Sequence, residues 1–196
     1  MARDWGVKLV FDGKKICFVS KITKKCVKCW RARSGVVDTQ GNTQLKLQRE
    51  ENKGPIPTGR YRVSVEEIQK RYDKDGKEHE SWKDRPKDRW GNMRLLIVLE
   101  KGTNIFGRQG GFFIHGGTQM GSIGCIDLGK FGNEENFFKF WELNSDVKGV
   151  KDDPLELIVD YIGKEMPKDC KELSYPPLRG HIGIKSIIQM SSHTLH

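Results

Sequence analysis

Apolar and polar positions alternate from the start of the chain. Val7-Lys8-Leu9-Val10-Phe11 alternates and stops at Asp12-Gly13, a hairpin-turn dipeptide, and Lys15-Ile16-Cys17-Phe18-Val19-Ser20 returns as a second strand. Val27 to Ala32 reads as a third strand that ends at Arg33-Ser34-Gly35. Residues 40–53 are polar and read as a loop, with a short strand at Gln44 to Leu47. In Gly54-Pro55-Ile56-Pro57-Thr58-Gly59 two prolines fix the approach and Gly59 releases the chain into a strand through Val63. Met93 to Leu99 and Gly111 to His115 are apolar enough to be buried strands, and Leu155 to Tyr161 is the last clear one. Asn133 opens a helix with Glu134 and Glu135 in its first turn and an apolar face of Phe137, Phe138, Phe140, Trp141 and Leu143. The pattern predicts a mainly β single domain with one or two helices and no internal repeat.

Residues 66–92 break this rhythm. Glu66 to Tyr72 reads as one or two helical turns, followed by Asp73-Lys74-Asp75-Gly76 and a charged run carrying Trp82, Pro86 and Trp90. The ordinary reading is a solvated insertion. The functional alternative is a lid whose aromatics line a groove, since long loops in small domains are often binding elements. Asp73-x-Asp75-Gly76 lacks the ligand ladder and closing Glu of a calcium loop and is set aside. Beyond Pro167 the order fades, and Pro176-Pro177 and the end from Ser191 to His196 read as a loosely held tail.

Composition narrows the field. The 196 residues suit one domain with a sizeable core. No apolar run approaches the roughly 20 residues of a membrane span, and Met1 to Gly6 has no signal-type apolar core. The net charge of +9 favours anionic partners, yet no nucleic-acid-binding motif accompanies it, so nucleic acid is not an expected partner. Five cysteines leave at least one unpaired within a monomer. Cys26-Val27-Lys28-Cys29 is a lone C-x-x-C, but in a regular strand its two thiols point to opposite faces, which argues against a shared metal. They read as structural thiols of a chain made in a reducing place.

The candidate chemistry lies in Gly110-Gly111-Phe112-Phe113-Ile114-His115-Gly116-Gly117-Thr118-Gln119-Met120-Gly121-Ser122-Ile123-Gly124-Cys125-Ile126-Asp127-Leu128. A cysteine attacks carbonyls as the thiolate and needs a base or a positive neighbour. His115 is ten positions upstream of Cys125 (125 − 115), so a hairpin-like return would bring imidazole and thiol together. The N–H groups of Gly124 and Cys125 can face a developing oxyanion. Taken singly, most such cysteines are inert small core residues, most histidines structural and most glycine clusters turns. Their joint arrangement is far more specific. One His and one Cys lack the paired ligands of a structural zinc site, so neither metal nor organic cofactor is expected.

The stretch resembles the signature of the L,D-transpeptidase (YkuD-like) catalytic domain: His-Gly, a gap, then Ser/Thr-x-Gly-Cys-hydrophobic. Phe-Phe-Ile-His-Gly-Gly followed by Gly-Ser-Ile-Gly-Cys-Ile-Asp-Leu is most similar to a short-gap branch that includes peptidoglycan-targeting effectors of the type VI secretion system. Ser34-Gly35 and the Pro-Thr-Gly segment at residues 57–59 add to the resemblance. It implies a β-sandwich or barrel, residues 1–165 as catalytic domain with 66–92 inserted, and 166–196 as a C-terminal extension. It implies Cys125 as nucleophile, His115 as base, Ser122 and Gly124 shaping the turn, and Gly116, Gly117, Ile123 and Asp127 beside the substrate. Two positions depart from the usual pattern: Ile123 stands where many members have His, and Asp127 where many have an Arg able to pair a substrate carboxylate. The implied substrate is the peptidoglycan stem peptide at an L–D bond, cut by hydrolysis or exchanged. The implied setting is secretion without a cleaved signal into a target cell's periplasm, with an immunity protein and a secretion apparatus as partners. A housekeeping wall enzyme, a papain-type amidase or peptidase using His181 or His193, and a non-enzymatic basic binding module are the competing readings.

Overall fold

A computed structural model describes residues 6–118, 122–129, 133–145 and 154–171. The Asp12-Gly13 turn joins β1 (Val7–Phe11) to β2 (Lys15–Ser20) as the alternation demands. Asp12 fastens that turn by accepting the N–H groups of Lys14 and Lys15 on its carboxylate. β3 (Cys26–Arg31) pairs back on β2, and β4 (Arg33–Ser34) follows after Ala32. β5 (Gly59–Val63), β6 (Ile68–Lys70), β7 (Met93–Leu99), β8 (Phe112–His115), β9 (Ile126–Asp127) and β10 (Leu155–Val159) complete one sheet.

Its order is β3-β2-β1-β10-β5-β7-β8-β9-β4, with β6 on β7. The first and last strands of that path, β3 and β4, are neighbours in sequence, separated only by Ala32. The sheet therefore curls until its two ends are joined by one continuous stretch of chain, which gives the near-barrel expected of the fold. β10 lies parallel to β1, so the chain's last described strand completes the middle of the sheet.

Two helices are present among the described residues: α1 (Lys87–Trp90) and α2 (Asn133–Ser145). Phe137, Phe138 and Trp141 of α2 enter the core, where Phe137 meets Phe18 and Trp30 of the sheet and Trp141 meets Phe18. Phe140 packs partly and carries the Lys28 ammonium 4.8 Å from its ring. Leu143, expected on the apolar face, is 55% exposed because, two residues on from Trp141 at about 100° per residue, it lies on the side of the helix away from the core.

Three local expectations need correction. Leu45–Leu47 is a 3-10 turn rather than a strand, having no neighbouring strand to pair with. Glu66 to Tyr72 forms only a 3-10 turn (Val65–Glu67) before β6, because pairing of Ile68 to Lys70 with Leu95 to Met93 outweighs local helix preference. The loop from β8 to β9 is not a hairpin. The two strands run parallel, with Ile114 opposite Ile126 and His115 opposite Asp127. His181, His193 and the tail from residue 172 lie outside the described residues.

Candidate active site

The register of five strands sets the site. Gln69 of β6 stands opposite Arg94 of β7, Arg94 opposite His115 of β8, His115 opposite Asp127 of β9, and Asp127 opposite Arg33 of β4. A row of polar side chains thus crosses one face, while Leu95, Ile114 and Ile126 enter the core on the other. Cys125 shares the parity of Asp127 and precedes β9, beside Phe113. Its Sγ accepts the Phe113 N–H at 3.3 Å. The register thus places Cys125, just before β9, one diagonal step from His115 on the neighbouring parallel strand. The loop between them only has to return the chain to the same end of the sheet.

His115 Nδ1 lies 2.6 Å from the Gly116 carbonyl oxygen. A carbonyl only accepts, so Nδ1 carries the proton and Nε2 keeps its lone pair. The Trp90 ring covers the imidazole at 4.8 Å between centroids and 31° between planes. Burial, with the nearby Arg94 charge, pushes the imidazole down to about 4 despite the Gly116 contact. Burial pushes the Cys125 thiol up to about 11. Asp127 adds to that rise, and the Phe113 N–H, Arg85 and Arg108 oppose it. The resting pair at neutral pH is thus thiol and neutral imidazole. Of the two activation routes expected for His115, this favours proton removal during attack over a standing thiolate–imidazolium pair.

The nucleophile turn is held from three sides. The Ser122 hydroxyl donates to the Cys125 carbonyl, and the Ser122 N–H donates to the Gly35 carbonyl at 3.2 Å. The Ser34 hydroxyl donates to the Gly124 carbonyl at 3.4 Å and accepts the Ile56 N–H at 2.8 Å. This ties the Pro-Thr-Gly segment to the turn. Arg108, buried and not singled out by sequence, donates to the carbonyls of Gln48, Gly54 and Pro55 and lies over the Phe112 ring at 5.0 Å. Gly124 has φ +97°, and a Cβ there would fall 2.3 Å from the Arg108 guanidinium. Glycine is required twice over.

The glycines after His115 answer to packing. A Cβ at Gly116 would meet the Glu134 carboxylate at 2.2 Å, and one at Gly117 the Arg89 carbonyl at 2.8 Å. Glu134, from the first turn of α2, accepts the N–H groups of Asn92 and Met93, so one carboxylate fastens helix, insertion and His115 loop together. Ile123, two residues before Cys125, is 60% exposed. Asp127 is fully buried, and its carboxylate accepts the Gly129 N–H at 2.7 Å.

The 66–92 segment packs on this face. Arg71, itself buried, donates to the carbonyls of Gly91 and Arg85 and to Glu78, and lies 4.6 Å over Trp82. Arg94 donates to Gln69 and to the Ser81 carbonyl, and its guanidinium lies 4.4 Å from the Trp82 ring centroid and 5.2 Å from that of Phe113. Arg85, exposed, sits 4.7 Å over Trp90. Among the described residues neither Arg85 nor Arg94 forms a salt bridge. A lone Arg or Trp in a charged run carries no sequence signal of this role. Only the strand register could have exposed Arg94.

A thiol, an imidazole with a free Nε2, a glycine turn and two cations on one face of a near-closed sheet can carry out cysteine acyl transfer. Residues 22–147 match the YkuD family, described as the L,D-transpeptidase catalytic domain. The chain belongs to that family. No curated protein matches the chain. A solved structure of Bdellovibrio bacteriovorus Bd1075 is similar at 10% identity and a TM-score of 0.46, over 80% of this chain and 48% of that one. The chain spans about half the length of that structure.

Proposed function

We propose that this chain acts on peptidoglycan stem peptides at an L–D bond through a Cys125 thioester. The observation that supports the reading is the parallel pairing of β8 and β9, which brings the strand of His115 alongside the strand that follows Cys125 in a chain of the L,D-transpeptidase family. As sulfur attacks the carbonyl of the L-residue, His115 Nε2 takes the thiol proton. The N–H groups near Gly124 and Cys125 face the oxyanion. Collapse breaks the C–N bond, and the imidazolium returns its proton to the departing amine of the D-residue. Water then releases the acid, giving carboxypeptidase cleavage, or an incoming D-amino acid or second stem gives exchange.

Arg85 and Arg94 take the stem carboxylate in this reading. Their charges act on the Cys125 thiol, and among the described residues neither has a carboxylate partner, whereas Asp127 is buried and carries the wrong sign. The chain acts as a secreted effector in a target cell's periplasm. The similarity of its motif to the short-gap branch and its net charge of +9, suited to an anionic wall, support this. Mass analysis of muropeptides after incubation tests the chemistry: stems shortened by one D-residue or carrying an exchanged one are expected, and unchanged stems would refute it. Expression with and without an added periplasmic signal tests the setting. Lysis only with the signal, abolished by Cys125→Ala, is expected, and toxicity confined to the cytoplasm would refute the effector role.

A further inference from the structure

The other four cysteines gather at one place. Cys17 is disulfide-bonded to Cys29, and Cys26 to Cys170. This corrects the expectation of separate thiols on opposite faces. The β2–β3 register shifts between Phe18 and Val19, so that Cys29 faces Cys17 and Cys26 faces Val19, with Val27 skipped. The bulge turns Cys26 onto the face of Cys29. The loop after β10 then brings in Cys170. Asp160 bends that loop by accepting the N–H groups of Ile162 and Glu165, and Lys8 pairs with Glu165.

The four sulfurs all lie within 4.8 Å of one another. Two independent disulfides do not require that. A tetrahedral zinc site does: with Zn–S bonds of about 2.3 Å, its sulfur–sulfur edges are about 3.8 Å. The C-x-x-C pair, Cys26 and Cys29, is not itself bonded, yet its sulfurs stand 3.2 Å apart. Such a pair supplies two ligands from one short segment. Val10, Val19 and Met166 pack around the sulfurs and keep the centre closed. The Lys15 ammonium donates to the Cys170 carbonyl, which places a cation beside a centre that would carry two negative charges.

We propose that these four cysteines are a structural zinc site in the reduced chain and two disulfides in the oxidised one. Each disulfide takes two electrons and two protons from a thiol reductant, which is itself oxidised to a disulfide, and yields two thiols. The four thiols release four protons as they take one Zn²⁺. The cluster thus clamps Cys170 to β2 and β3 in either redox state, independently of the chemistry at Cys125.

The test uses the full chain in a Cys125→Ser background, so that only these thiols remain. After reduction with a phosphine and gel filtration with zinc, elemental analysis is expected to find one zinc per chain. Cobalt in place of zinc should show the visible bands of a tetrahedral tetrathiolate. Cys26→Ser and Cys170→Ser, each tested alone, should weaken zinc binding by more than the roughly 10–100-fold that loss of an outer-shell contact costs. If the reduced chain unfolds without metal, circular dichroism should show zinc restoring it. Substoichiometric zinc on folded reduced protein, failure of zinc to restore an unfolded one, or zinc binding indifferent to both serines would overturn the proposal.

Discussion

The neutral resting pair predicts how Cys125 reacts when no substrate is present. It is the one free cysteine among the described residues, so with both disulfides intact iodoacetamide reports on it alone. With the thiol raised to about 11, its thiolate fraction at pH 7 is about 10⁻⁴, against about 10⁻² for a thiol at its ordinary value of 9.0. Higher basicity makes each thiolate more nucleophilic, by roughly six- to tenfold for this shift. The net expectation at pH 7 is alkylation about ten times slower than for an unperturbed thiol, and slower still because the thiol is only 7% exposed. The rate should rise about tenfold per pH unit from pH 6 to pH 10 as thiolate accumulates. Alkylation followed by intact-mass spectrometry across that range measures it. Replacing His115 by Ala should leave the profile nearly unchanged while lowering turnover on the order of a hundredfold or more. A rate that is already high and flat between pH 5 and pH 8, and that collapses in His115→Ala, would show a standing ion pair and refute the reasoning.

The same shifts set a stability window. An unfolded His115 near its ordinary 6.5 takes a proton before the folded one at about 4, so the unfolded state binds more protons in that range. Stability should fall by about 3 kcal/mol as pH drops through it, and denaturant titrations of His115→Gln should lose most of that slope. Cys125 acts from the other side: the folded thiol holds its proton from about 9 to about 11, so stability should fall by about 3 kcal/mol as pH rises through that interval, less so in Cys125→Ala. Cys125→Ala and Cys125→Ser should abolish turnover on stem peptides, with full activity in either variant excluding the assignment. Gly124→Ala should lower the melting temperature through its left-handed backbone and its clash with Arg108, whereas Gly76→Ala, with the same backbone strain but open space, should cost less. Arg94→Gln should raise KM for a substrate with a free stem carboxylate far more than for its amide, and equal effects on the two would remove the carboxylate role.

The chain alone carried the strand pattern, the helix that begins at Asn133, and a histidine and a cysteine as candidates within one glycine-rich stretch. These are local: alternation with period two, a turn dipeptide at Asp12-Gly13 and an acidic first turn are written in neighbouring residues. The residues that surround the reacting pair were not legible, because their partners come from distant strands. Arg94 becomes a neighbour of His115 only through the β7–β8 register, and Trp90 covers the imidazole only because Arg71 and Glu134 pin the insertion down. Alternation misjudged Cys26 because one bulge residue reverses every side chain beyond it. The direction of β9 was likewise invisible, since a ten-residue separation fits a hairpin and a parallel return equally well. Tertiary structure also decided the protonation states. Histidine and cysteine side chains bring only their ordinary affinities for a proton, and burial moved both toward the neutral form.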